Sequence, residues 1–348
     1  MAASNGVTDS TIPIFLITGF LGSGKTTFLN CLIKSVPPGT RLAVLMNEFG
    51  EIGIDGALIP GEDFDLLEIN NGSIFCICVK KDFLTGLQKI VTEIRPDVLI
   101  MESTGVANPA DLARDLQLPL FRNRLKLEEQ FCVVDAACFE EAYGVFASVE
   151  KQLETSTVFI LNKVDVATGE QVKRVRELIE RHHPNPVVVE TTYCDGVADR
   201  ILASFSRAGA DPARREDSAS PGEPAAAEDL DAVISRILED PQRQITPPDR
   251  LVSAVFRWSG SRIEDFRALM AAIPPGVIRG KGFLEADGKT FLFNRVMGTA
   301  TVEEAPLPSK RTGLVNRLCF IMPPDTLQKF DELLGRFPTL SPDKPTKP

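Results

Sequence analysis

Residues 16–30 read LITGFLGSGKTTFLN, with three glycines and then Lys25, Thr26 and Thr27 directly behind an apolar run. Gly19, Gly24, Lys25 and Thr26 complete the pattern G-x-x-x-x-G-K-[ST], and Gly22 and Ser23 lie inside it. Glycines let successive backbone amides turn inward around phosphate oxygens, and the helix opening near Lys25 adds its positive end. Lys25 reaches the β- and γ-phosphates, and Thr26 places its hydroxyl on magnesium. The pattern carries meaning only between a buried strand and a helix; IPIFLI (12–17) reads as the strand and TTFLNCLIKSV as the helix. A dinucleotide-binding fingerprint fails, because Thr27 stands where G-x-G-x-x-G wants its third glycine.

Further short apolar runs follow at 41–46 (RLAVLM), 96–101 (PDVLIM), 128–135 (EEQFCVVD), 156–162 (STVFILN) and 185–190 (NPVVVE). Helical patterns lie between several of them, such as Phe83 to Ile94 and Glu170 to Arg181. This alternation predicts an α/β fold of the P-loop NTPase class over residues 1–205, a mostly parallel sheet flanked by helices. Residues 206–249, rich in Ala, Pro, Ser and charge, read as a flexible linker. Within it Leu230, Val233, Ile234, Ile237 and Leu238 repeat at the spacing of a docking helix. From 250 to 340 the pattern is that of a smaller C-terminal α+β domain, with an ADGK hairpin turn at Asp287-Gly288. Residues 341–348 form a Pro- and Lys-rich tail expected to fray.

The balance of 38 basic against 48 acidic residues, a net charge of −10, argues against nucleic acid or anionic lipid as partner. No apolar run approaches the roughly 18–20 residues of a membrane helix. The start of the chain carries no basic segment ahead of its first apolar stretch, so a cytoplasmic location is expected. Seven scattered cysteines are not a disulfide framework, and most are expected to be small buried hydrophobes. Only Cys76 and Cys78, in FCICV, sit at a spacing that suggests chemistry. The histidines, His182 and His183, read as surface groups.

FILNKVD places Asn162, Lys163 and Asp165 at the end of an apolar strand, the N-K-x-D arrangement that looks like the guanine reader of GTPases. The Asp165 carboxylate would accept both donors on the guanine edge, whereas adenine would leave it desolvated and unpaired. DVLIMESTG sets Glu102 at a strand end to meet the magnesium shell through water, and Gly105 to offer its amide to the γ-phosphate. NEFGEIGID contributes Asn47, Glu48, Glu51 and Asp55, with Gly50 and Gly53 suited to a loop that reorders with nucleotide state.

Together GFLGSGKTT, NEFGEIGIDGALI, NNGSIFCICV, ESTGVANP and LNKVD resemble the CobW-type GTPases, relatives of the hydrogenase and urease nickel-insertion GTPases. The resemblance spans residues 12–195, and more loosely the unit from 250 to about 320. It implies slow, partner- or metal-stimulated GTP hydrolysis with GTP/GDP and Mg2+ as cofactors. Gly22, Ser23, Gly24, Lys25, Thr26, Thr27 and Gly105 then hold phosphate and magnesium. Asp55 and Glu102 serve the magnesium shell or the hydrolytic water, and Asn162, Lys163 and Asp165 read guanine. No arginine identifies itself as a catalytic finger.

The family's metal motif is C-x-C-C shortly after Asn-Gly, and here Val79 replaces the last cysteine if Cys76 and Cys78 are the first pair. In an extended segment the two thiolates point the same way and share one ion, Zn2+ or another transition metal. A third ligand must come from Glu48, Glu51, another cysteine or a partner, and a structural or vestigial pair is the alternative. The partners this implies are a client metalloenzyme or cofactor-assembly protein and, with nucleotide, a second copy. Two readings stay open: a metallochaperone with nucleotide-gated metal transfer, and a nucleotide-gated client-binding assembly factor that carries no metal. An ATP-dependent small-molecule kinase shares the phosphate loop but has to explain away LNKVD.

Overall fold

A strand that is apolar at every position has to be covered on both faces, and β1 (Ile12–Thr18) is buried along its whole length. The computed structural model describes residues 11–49, 65–71, 77–103, 105, 109–197, 251–305 and 315–343. β1 is the central strand of a seven-stranded sheet, ordered β3-β2-β4-β1-β5-β6-β7. The other members are β2 (Leu42–Phe49), β3 (Asp65–Asn71), β4 (Val98–Glu102), β5 (Leu125–Asp135), β6 (Val158–Asn162) and β7 (Val187–Thr191). Every neighbouring pair runs parallel. Pro13 sits inside this central strand, where a missing N–H would break a ladder. The ladder to β4 begins only at Ile14, and a register shift on the β5 side falls between Ile14 and Phe15.

Side chains alternate between the faces. Ile14 and Leu16 pack with Leu84 and Leu87 of α2 (Ile77–Lys89) and Leu112 and Leu116 of α3 (Pro109–Leu116). Phe15 and Ile17 pack with Phe28, Leu29 and Leu32 of α1 (Lys25–Ser35). Cys132 and Val134 of β5 and Phe159 and Leu161 of β6 meet α4 (Phe139–Val145), α5 (Ala147–Thr155) and α6 (Gly169–His182). Each such side chain contributes roughly 1.5–3 kcal/mol on burial. α6 opens on a reciprocal cap between Thr168 and Gln171.

The chain leaves β1 toward β2 on one side and crosses from β4 to β5 on the other. β1 therefore marks the point where the strand order reverses, and a ligand crevice opens at the carboxyl ends of such strands.

A second sheet of six strands has the order β11-β10-β9-β12-β8-β13. Its members are β8 (Val252–Trp258), β9 (Arg279–Ala286), β10 (Lys289–Val296), β11 (Thr299–Glu304), β12 (Arg317–Met322) and β13 (Leu340–Pro342), all antiparallel to their neighbours. One face is covered by α7 (Ile263–Ala272) and α8 (Pro324–Arg336) over an aromatic core that includes Trp258, Phe266, Phe293, Phe320 and Phe330. The β9–β10 turn has Asp287 and Gly288 at φ 49° and 72°, the left-handed pair a two-residue hairpin needs. The opposite face sends Ile321, with Ile278 and Leu251, into the cluster that holds Phe20 and Leu21. The C-terminal sheet thus rests on the loop after β1.

Three expectations change. β3, not anticipated from sequence, adds an edge strand beyond β2. Ser341 and Pro342, assigned to the tail, pair with Arg257 and Phe256, and Asp343 is ion-paired to Arg257 and Arg317. Cys78 lies in the first turn of α2 rather than in an extended segment. The expected linker at 206–249, with its docking helix, lies outside the described residues. Among the described residues no helix is long and apolar enough to cross a membrane.

Candidate functional site

The loop between β1 and α1 has Gly19, Gly22 and Gly24 at φ 136°, 75° and 109°, in the region where glycine alone is unstrained. Gly24 caps α1 with no side-chain acceptor, and the first turn of α1 holds no acidic residue. The positive end of the helix and its first amides are thereby left for an anion. A Cβ on Gly24 would stand 2.4 Å from Asn162 Nδ2, so glycine here also makes room for β6.

Lys25 is buried, and its Nζ donates to the carbonyls of Gly19 and Phe20, each at 3.0 Å. These bonds stretch the ammonium back along the loop it serves. Burial lowers its pKa to about 8, against the opposing pull of Glu102, and Arg279 lowers it further. Glu102, at the end of β4, is also buried, and burial raises its pKa while Lys25 and Thr26 hold it down. Thr26 Oγ1 donates to the Glu102 carboxylate at 3.2 and 3.4 Å. Thr27 is exposed, and Ser23 is buried with no partner for its hydroxyl among the described residues. Gly105 is buried against Leu21, where a Cβ would sit 2.6 Å from the Leu21 nitrogen, and its carbonyl accepts from Gln152 at 3.1 Å.

The parallel register sets Asp135, the last residue of β5, beside Asn162, the last of β6. Asn162 donates to the Ser23 carbonyl at 2.9 Å and accepts from the Cys194 amide at 3.1 Å. Lys163, at φ 64°, donates to the Gly22 carbonyl at 2.8 Å and pairs with Asp135 Oδ2 at 2.6 Å. Of the three residues expected to read guanine, two are therefore ties between β6, the phosphate loop and the loop after β7. Asp165 is exposed on the same turn. Ala137 donates to Asp135 Oδ1 at 3.0 Å, which fixes the carboxylate that holds Lys163.

Sequence reasoning missed Asp135, the Tyr193-Cys194 turn and Arg279. Both turn residues have positive φ, and Tyr193 is 76% exposed. Asp135 at the end of a predicted strand was a legible signal; the other two depend on tertiary approach.

Asp55, Glu51 and Cys76 lie outside the described residues, while Asn47 and Glu48 close β2. Among the described residues no group of three or more His, Cys, Asp or Glu is placed to hold a metal ion. Burial pushes the Cys132 and Cys194 thiols up to about 12, which makes them inert packing groups. The histidines are half-buried structural groups rather than surface ones: His182 Nε2 lies 2.9 Å from the Tyr143 hydroxyl and His183 Nε2 2.6 Å from the Leu153 carbonyl.

Comparison with known proteins accounts for both sheets. Residues 13–190 match the CobW/HypB/UreG nucleotide-binding domain, and residues 253–334 match the cobalamin synthesis protein cobW C-terminal domain. A zinc chaperone CobW from Sinorhizobium sp is 32% identical over 212 residues, 51% of this chain and 58% of the relative. The zinc chaperone YeiR of Escherichia coli (strain K12) is 35% identical over 156 residues, 44% and 47% of the two chains. The zinc-regulated GTPase metalloprotein activator 1 of Dictyostelium discoideum is 30% identical over 219 residues, 52% and 46% of the two chains. The chain thus spans about half the length of the curated relatives it matches. The crystal structure of Zn(II)-bound YjiA GTPase from E. coli aligns over 94% of this chain and 99% of its own at 20% identity and a TM-score of 0.40. With residues 13–190, half of the chain, matched by the first domain and the second matched behind it, the chain belongs to the CobW/HypB/UreG family of nucleotide-binding proteins.

Proposed function

We propose that this protein binds and hydrolyses GTP and uses the cycle to gate delivery of a metal ion, zinc first among candidates, to a client metalloenzyme or cofactor-assembly protein. The observation that carries the nucleotide half is the lacing of the base-reading turn to the phosphate loop, Asn162 to Ser23 and Lys163 to Gly22. Asp165, exposed on that turn, is the carboxylate for the guanine donors, so binding at one end of the nucleotide is felt at the other. Thr26 and Glu102 offer hydroxyl and carboxylate oxygens side by side, the hard donors magnesium takes, and magnesium there would offset phosphate charge. Lys25 and the glycine amides hold the β- and γ-phosphates, with Gly105 as the γ-phosphate sensor against Leu21.

The metal half rests on the zinc chaperones among the relatives and on Cys76 and Cys78. Cys78 falls within the first turn of α2. The deciding experiment is an anaerobic zinc titration of the full chain, first with GDP and then with a non-hydrolysable GTP analogue. Stoichiometric thiolate-ligated binding that differs between the nucleotides, and is lost in Cys76→Ser/Cys78→Ser, supports the reading. Zinc binding in neither state assigns the cycle to client binding alone, and preference for ATP over GTP overturns the nucleotide half.

A further inference from the structure

The C-terminal sheet does more than lean on the nucleotide domain. Val296, the last residue of β10, lies against Gly22 so closely that a Cβ on the glycine would be 2.1 Å from its Cγ2. Its cross-strand partner on β9 is Arg279, which is also opposite Ile321 of β12. Ile321 and Ile278 are buried with Phe20 and Leu21 of the phosphate loop, and backbone bonds from Met297 to Ile278 and from Ile278 to Ile321 fix this corner. Cross-strand partners share a face, so Arg279 rises from the face that carries Val296 and Ile321 onto the loop. It is half-buried there.

We propose that Arg279 is the cation by which the C-terminal domain meets the γ-phosphate of bound GTP, an arginine supplied in cis that stabilises hydrolysis and reports nucleotide state. This rests on the GTPase reading above. The electrostatics agree with the geometry: Arg279 acts on both Lys25 and Glu102, disfavouring the charge of the first and favouring that of the second. Lys25 and Arg279 both favour the charge of Glu102, and the planar guanidinium fork suits phosphate oxygens. In hydrolysis the water oxygen bonds to the γ-phosphorus as the bond to the β,γ-bridging oxygen breaks. The electron pair stays with GDP and the water proton passes to phosphate or solvent. Negative charge grows at the bridging and γ-oxygens, where an arginine acts. GDP lacks the γ-group, so its affinity should not depend on Arg279.

The test uses the full chain with magnesium and compares wild type, Arg279→Ala, Arg279→Lys and Lys281→Ala. Lys281 lies two residues along the same strand face and controls for a general positive field. Expected for Arg279→Ala is a single-turnover GTP rate lower by tenfold or more, GTP-analogue affinity lower by about tenfold, and GDP affinity within twofold of wild type. GDP with aluminium fluoride should be trapped by wild type and by Lys281→Ala but not by Arg279→Ala, with Arg279→Lys between them in rate. Wild-type turnover in Arg279→Ala overturns the assignment. So does a fall in GDP affinity as steep as the fall in rate, which makes the arginine a structural prop. Failure of the underlying reading shows instead in wild-type protein, as absent GTP turnover, and removes the assignment with it.

Discussion

Lys25 is a cation held in a place that disfavours its charge, and this gives nucleotide binding a pH dependence whose sign is fixed. In the free protein it titrates at about 8, lowered chiefly by burial. A phosphate placed against the ammonium favours the charged form, so the pKa is higher in the complex and binding takes up protons between the two values. Affinity is therefore greatest below pH 8 and falls as pH rises through it, by at most about tenfold per unit. Calorimetry of GDP binding between pH 6.5 and 9, in buffers of different ionisation enthalpy, should show proton uptake near one half at pH 8 and little at pH 6.5. Lys25→Arg, charged throughout, should bind without uptake; uptake that survives this substitution would assign the proton to another group. Glu102 answers Lys25 at the same scale. Its carboxyl is raised by burial and restrained by Lys25 and Thr26.

At the scale of elements the site is a set of strand ends held in register, and Gly24 is where two of them meet. A methyl group there meets Asn162 Nδ2 at 2.4 Å, on a backbone at φ 109° that strains any other residue. Asn162 must then swing away, losing its bonds to Ser23 and Cys194. Gly24→Ala should cost about 2–3 kcal/mol and lower the thermal midpoint by about 4–12 °C. GDP should restore less of the midpoint than it adds to wild type, since the base turn has lost its tie to the phosphate loop. An unchanged midpoint would mean that the loop relaxes without Asn162. The strand-loop-helix unit of β1 and α1 was legible because local pattern decides it: an apolar run, glycines at fixed offsets, and apolar spacing of a helix. The strands of the parallel sheet were legible for the same reason, since burial on both faces demands apolar residues throughout. β3 was not. Its sequence DLLEINN is paired on one side only among the described residues and need not be apolar. The roles of Asn162 and Lys163 were half legible: the motif named the residues, but their bonds to Ser23 and Gly22 depend on how β6 and β1 sit across β5. The short helices α3, α4 and α5 were not singled out either, because seven to nine residues give too few turns for a clear apolar period.

For the whole molecule the interface between the sheets decides whether nucleotide state reaches the C-terminal domain, and a single tryptophan reports on it. Trp258 is the chain's one tryptophan, buried in the aromatic core of the C-terminal sheet and edge-on to Phe266. Its fluorescence follows the unfolding of that domain, while GDP binds at the other. Ligand bound at about one hundred times its dissociation constant stabilises the state that binds it by about 2.7 kcal/mol. If Ile278, Ile321, Leu251 and Val296 clamp the second sheet to the phosphate loop, the two domains unfold together and the Trp258 transition shifts with GDP. Ile278 directly precedes β9 and belongs to the cluster with Phe20 and Leu21, so Ile278→Asp places a carboxylate in the interface without entering the aromatic core. A buried, unpaired carboxylate is costly enough to part the surfaces. In that variant the tryptophan transition should keep its wild-type sharpness but stop responding to GDP, while far-UV circular dichroism separates into two steps and only the first moves with nucleotide. A tryptophan midpoint still raised by GDP in Ile278→Asp would mean that coupling does not run through this contact. A wild-type midpoint indifferent to GDP would mean that the domains act independently, and that the arginine carried on β9 has no rigid frame from which to reach a phosphate.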